Sequence, residues 1–240
     1  MRASDQDLAW ICAQKSQIIR HRGLEHPLFD ELPTLCREPR FIAIAMGQLY
    51  HLVLGFPFHI AGAISTTRDE NVLAVLARNL YAEVGGADGE AHIDLFRRIL
   101  RATGVSIDRP HPKLLWPETV ALESSCSQYY RHPNLGLKLG SLFAFEAMSS
   151  PMVSHWVKGL RNSSNLKEWE IEFFVVHVDI EKEHVEDIQE CAAMSAGDED
   201  FRGWFEIGAV EIMSSLERLW DRMLREGRAI AELVDATASQ

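Results

Sequence analysis

The chain has 240 residues, 47% of them hydrophobic and 25% charged, with a formal net charge of −11. That is enough apolar material for one large helical domain or two small ones. The acidic balance argues against nucleic acid and against anionic membrane, both of which repel it.

The predicted elements are all helical, with no run of alternating strands joined by hairpin turns. Residues 5–20 form a first amphipathic helix, followed by a polar loop with Gly23, Pro27 and Pro33. A long apolar helix covers 39–65. Gln48, His51, Pro57 and His59 make it too polar for a membrane span, so it is expected to be buried, with a bend near Gly55 and Pro57. Asp69 begins a helix that runs to Glu83, where Gly85, Gly86 and Gly89 break it. The next helix spans 90–103 and stops at Gly104. Three prolines make Asp108–Pro117 a loop; Glu118–Arg131 is helical, and His132-Pro133-Asn134 breaks it. Leu135–Leu160 reads as a long helix with Pro151 as its kink position, and Asn162–Asn165 as a turn. Lys167–Met194 is a helix, and Asp198 is an N-cap candidate. The last helix covers 199–233, with Trp204, Ile212, Leu216 and Trp220 as core positions. There is no repeat, low-complexity tract or linker. The simplest architecture is one domain over 1–240, a single bundle of about seven helices.

The run FFVVHVDIEKEH carries His177, Glu181 and His184, four and then three residues apart. At about 100° per residue these side chains fall within roughly 60° of one another. Two imidazoles and a carboxylate on one stripe beside an apolar run suit a metal ion; a solvated face in a Glu/Lys-rich segment is the alternative. Asp179 and Glu183 lie off the stripe and are expected to face solvent. Glu146 sits in GSLFAFEAM, where a carboxylate is either a ligand or paired with an arginine. Glu83 ends NLYAEVGG, and His92 follows across the glycines. Three carboxylates and three imidazoles in a helical bundle are the ligand chemistry of a non-haem iron site. The four cysteines, Cys12, Cys36, Cys126 and Cys191, are scattered, as for reduced buried thiols of a cytosolic protein. MRASDQDLAW has no signal-peptide apolar run, so a cytoplasmic location is expected.

NLYAE-VGG…H, then LFAFE, then FFxxHxxxExxH resembles, in that order, the haem-oxygenase-like diiron oxidase and oxygenase family. That family shares its seven-helix fold with haem oxygenase, thiaminase II and the pyrroloquinoline-quinone synthase. The resemblance covers about residues 39 to 190. It implies that Glu83, His92, Glu146, His177, Glu181 and His184 hold two irons per chain, with Glu83, Glu146 and Glu181 as the catalytic carboxylates. QLYHLVLGFPFHIA resembles the family's second-helix pattern, and Gly140 precedes the glutamate helix where close packing is expected. Three departures stand out. Glu181 replaces the family's Asp, and the Glu83–His92 gap is about one residue short. Gln48 or, one turn on, His51 stands where some members supply a further glutamate. Six ligands leave the second iron weakly held until substrate arrives.

The resemblance implies O2 activation at a diferrous pair through a bridging peroxide. The outcome is N-oxygenation, desaturation or C–C cleavage of a small amino-acid-derived metabolite in natural-product biosynthesis. Phe143, Phe145, Phe173 and Phe174 are expected to wall the site from water. Lys158, Arg161 or Arg101 would hold a substrate carboxylate. An external electron donor is allowed for, and a homodimer follows from the family. The alternatives are a cofactor-free oxidase, a thiaminase-like enzyme with a nucleophilic cysteine, a haem enzyme using His21 or His26, and a non-catalytic iron-binding protein.

Overall fold

Nine α-helices follow one another in the described residues of this computed structural model, which are 3–86, 89–106, 115–163 and 165–238. In chain order they are α1 (Asp5–Ile19), α2 (Pro27–Leu35), α3 (Pro39–Thr66), α4 (Glu70–Glu83), α5 (His92–Ala102), α6 (Pro117–Tyr130), α7 (Leu135–Leu160), α8 (Glu172–Ser195) and α9 (Glu199–Ala238). The all-helical expectation holds; the count of about seven does not.

The helix missing from the sequence reading is α2. Its prolines suggested a loop, but Pro27 is at the first helical position, where a missing N–H costs nothing. The His26 ring accepts from Leu28 N–H as the cap, and Leu28, Phe29, Leu32 and Leu35 bury one face. The α8 segment also starts later than expected: a 3-10 turn at Glu168–Glu170 precedes it. Asp69 and Asp198 cap as expected, accepting from Asn71 and Val72 N–H and from Asp200 N–H respectively.

α7 is the central element, in contact with α9 and α8 along most of its length. Nearly every side chain from Gly136 to Ser149 is buried. Small residues set its distance from α9. A Cβ on Gly140 would stand 2.0 Å from the Phe205 carbonyl oxygen, and one on Gly136 2.5 Å from that of Phe201. Across the contact, a Cβ on Gly208 would meet the Leu137 oxygen at 2.4 Å. The two backbones therefore touch, as expected at Gly140.

α3 is continuous through Gly55 and Pro57. It is long and apolar enough to cross a membrane by length and composition, but half of its apolar window is buried against its neighbours. Gly55 admits the Glu123 carboxylate, whose oxygen lies 2.6 Å from where a Cβ would be. The α3 C-terminus receives Lys138 from α7. Its ammonium donates to Ala63 O (3.2 Å), Thr66 Oγ1 (3.0 Å) and Thr67 Oγ1 (2.8 Å), three acceptors for three protons. On α9, Ile212, Leu216 and Trp220 are core residues as expected, but Trp204 is 42% exposed.

Candidate metal centre

Glu83 closes α4, and the chain must turn back for His92 to meet it. Glycine chemistry does this. Gly85 and Gly86 have φ of 102° and 52°, a region that L side chains avoid. Gly86 N–H donates to Tyr81 O and Gly85 N–H to Ala82 O, the paired bonds of a Schellman ending. Gly89 N–H then donates to Gly85 O, and His92 opens α5. The result places His92 Nδ1 2.9 Å from Glu83 Oε2, with both residues 5% exposed.

His177 arrives from α8, 85 residues away in sequence. Its Nδ1 lies 2.5 Å from the Phe173 carbonyl oxygen, an acceptor, so Nδ1 carries the proton. The neutral ring then presents its Nε2 lone pair, 3.1 Å from His92 Nδ1. Metal-binding histidines are commonly tied to a backbone carbonyl by one ring nitrogen in this way. The i−4 carbonyl of Phe173 is a supporting group that the sequence reading missed. Glu146, 1% exposed on α7, faces the same cavity as Glu83 and His177.

Carboxylate and imidazole donors are of a kind that suits iron, and His92 Nδ1 links the other two at hydrogen-bond distance, 2.9 Å from Glu83 Oε2 and 3.1 Å from His177 Nε2. Among the described residues no three donors close into a finished cage. The two remaining candidates, Glu181 and His184, lie on α8, but their side chains are outside the described residues, as are those of Asp179 and Glu183.

The cavity beside the donors has a volume of about 70 Å³. One water needs about 10–15 Å³, so it holds several waters or a short aliphatic chain. Phe145, Phe173 and Phe174 line it, as expected, together with Leu49, Phe56 and Phe96. Phe143 does not line it; it is fully buried, with its ring 5.5 Å from that of Phe205 on α9. None of Lys158, Arg161 and Arg101 reaches the wall, and no lysine or arginine among the described residues lines it. Arg161 pairs on the surface with Glu168. Gln48 is not positioned as a ligand: its carbonyl oxygen accepts from Trp116 N–H (3.0 Å) and the Thr119 hydroxyl (2.7 Å), holding the start of α6. His51 is half-buried beside Tyr50, off the wall, with burial lowering its pKa.

His26 and His21 are committed elsewhere, to Leu28 N–H and Asp221 and to Gly23 N–H. Burial pushes the Cys36 thiol up to about 12 and Cys191 to about 11, and raises Cys126 further. No cysteine among the described residues lines the cavity. Burial, then the neighbouring Cys126, Glu146 and Glu123, holds the Tyr130 hydroxyl well above its usual range, so it stays neutral.

A helical fold of the haem-oxygenase kind, with buried carboxylates and imidazoles meeting at an apolar cavity, is the class that these features define. The chain belongs to the iron-containing redox enzyme family, whose model matches residues 45–202. It is 32% identical over 208 residues to the 4-chloro-allylglycine synthase of Streptantibioticus cattleyicolor, covering 86% of this chain and 79% of that protein. Among solved structures it is similar to a CADD-like protein of unknown function from Nostoc punctiforme (TM-score 0.77, 18% identity, 92% of this chain and 99% of that one). It is also similar to a TenA homologue from Pseudomonas syringae pv. tomato (0.73, 15%, 93% and 94%). A third is a domain of unknown function with a haem-oxygenase-like fold from Shewanella denitrificans (0.72, 15%, 92% and 91%).

Proposed function

We propose that this chain is a non-haem diiron oxygenase or oxidase that holds its metal through Glu83, His92, Glu146, His177, Glu181 and His184. It uses O2 to oxidise a small amino-acid-derived metabolite. The observation that carries this reading is the imidazole of His177. Its proton is anchored on Phe173 O, and its lone pair is directed toward the Glu83–His92 pair.

The product named for the Streptantibioticus relative is an amino acid bearing an alkene. Desaturation or C–C cleavage leaves an alkene and N-oxygenation does not, which supports the first two outcomes for this chain.

Bound iron would supply the electrons that reduce O2 and the oxidising power that acts on the substrate. The protein's own residues prepare the place. Glu83 and Glu146 bring carboxylates into a wall of phenylalanine and leucine, where burying negative charge is costly without a cation. That cost favours uptake of a positive ion. The imidazoles of His92 and His177 add donors without adding charge. The apolar wall limits water at the reacting carbon, and the neutral Tyr130 leaves the local charge to the carboxylates. A thiaminase-like reaction would need a nucleophilic thiol at the cavity, and the buried cysteines, held protonated away from it, disfavour that reading.

The test is anaerobic loading of the metal-free protein with Fe(II) and a count of irons per chain, followed by O2 and a panel of amino acids. Two irons, a transient visible absorption, and a product lighter by two hydrogens or by a lost carbon fragment are expected. No iron uptake, or iron with no response to O2, would refute the reading in favour of a cofactor-free enzyme or a binding protein.

A further inference from the structure

The serines of α7 around its internal Pro151 are bonded in two different ways. A serine inside a helix ordinarily donates to its own i−4 carbonyl. Ser149 does so to Phe145 O and Ser154 to Ser150 O, both at 2.8 Å. For Ser150 that acceptor would be Glu146 O. Its hydroxyl instead crosses to α8 and donates to Val178 O at 2.8 Å. Both ends of this bond adjoin candidate metal ligands. Glu146 is one turn before Ser150 on α7, about 6 Å along the axis, and His177 immediately precedes Val178 on α8. Ser150 itself is half-buried and is not part of the cavity wall.

We infer that Ser150 is a positioning residue of the metal centre: its hydrogen bond to Val178 O fixes the register of α7 against α8, and with it the separation of Glu146 from His177. This rests on both being ligands of the proposed diiron site. Donors on separate helices hold a metal well only when their spacing is kept to about 0.5 Å. Apolar packing also joins the two helices, with the Trp156 and Phe174 rings 6.1 Å apart, but such packing is non-directional. A hydrogen bond is directional and admits one register. Pro151, the next residue, has no N–H to donate to Ala147 O. α7 therefore loses a rung of its own ladder beside the point where Ser150 ties it to α8.

The experiment uses full-length protein and reads metal binding rather than turnover. Fe(II) is titrated anaerobically, by calorimetry, into metal-free wild type, Ser150→Ala and Ser154→Ala. Each is also saturated with Co(II), which takes the same kinds of donor and whose visible bands report ligand geometry. Urea unfolding of the metal-free proteins gives the stability of each. Ser150→Ala is expected to bind Fe(II) about tenfold more weakly, the loss typical when a group supporting metal ligands is removed, and to show altered Co(II) bands. Ser154→Ala removes a hydroxyl one turn away that bonds within α7, and it should match wild type in both. A lower urea midpoint for Ser150→Ala with unchanged affinity and bands would give the serine a stabilising role alone and overturn the assignment. An equal loss of affinity in Ser154→Ala would also overturn it, as a general loosening of α7. Wild type that takes up no iron would overturn the diiron reading as well, whereas iron bound alike by wild type and Ser150→Ala overturns this assignment alone.

Discussion

The same substitution, glycine to alanine, is expected to have opposite effects at two helical positions. At Gly140 the new Cβ would stand 2.0 Å from the Phe205 carbonyl oxygen, with the Phe205 Cα and carbonyl carbon at 2.7 Å. Ordinary contact begins at 3.4 Å, so α7 and α9 would have to part by about 1.4 Å. The obstacle is backbone and cannot rotate away, and the displacement would open gaps along the longest helix contact of the fold. Overpacking costs about 1–3 kcal/mol, and this geometry lies at the upper end. The better helix propensity of alanine returns about 1 kcal/mol. The net expectation for Gly140→Ala is a loss of about 2 kcal/mol. Gly203 is exposed, helical and clear of any atom within 4 Å. There Gly203→Ala should gain about 0.5–1 kcal/mol. Urea unfolding followed by circular dichroism reads both. At this chain length the changes correspond to a melting temperature lower by about 4–8 °C for the first and higher by about 1–4 °C for the second. Gly140 is six residues before Glu146 on α7, so its variant should also bind iron more weakly. If the two variants shift stability in the same direction, or Gly140→Ala leaves it unchanged, the close backbone contact is refuted.

Three further outcomes are expected. Ferrous iron at a hundredfold excess over its dissociation constant should stabilise the folded chain by about 2.7 kcal/mol, raising the melting temperature by about 5–11 °C; Glu83→Gln and His177→Gln should reduce that shift in calorimetry, and an undiminished shift would place the metal elsewhere. Gln48→Ala should cost about 1–3 kcal/mol in urea unfolding, by leaving Trp116 N–H and the Thr119 hydroxyl unpaired, while iron per chain stays the same; a lost iron would make Gln48 a ligand. Burial lowers Lys138 from 10.5 to about 8. The unfolded chain therefore holds more protons between those values, and stability should rise with pH across that window relative to Lys138→Met. A constant difference between the two proteins at pH 7 and pH 10 would return the lysine to an ordinary pKa.

The helices were largely legible because their cues are local. Asp69 and Asp198 cap from two or three residues away, Gly85 and Gly86 end α4 through their own φ angles, and apolar runs mark the buried faces of α3 and α7. α2 was misread because prolines were taken as loop signals when Pro27 was a start signal.

The chemistry divides along the same line. The sequence by itself offered the candidate donors: His177, Glu181 and His184 by helical spacing, Glu146 by its apolar run, and Glu83 and His92 by the order of motifs, all of them properties of the local chain. Only the tertiary structure decided what those donors and their neighbours face. The packing of α3 on α6 committed the Gln48 carbonyl, α7 turned Phe143 toward α9 rather than the cavity, and α9 exposed Trp204 while placing Trp220 in the wall. Crossing angles and distances between helices arise from side chains far apart in sequence. No local pattern carries that information, so the surroundings of the site, and with them its selectivity, exist only in the folded chain.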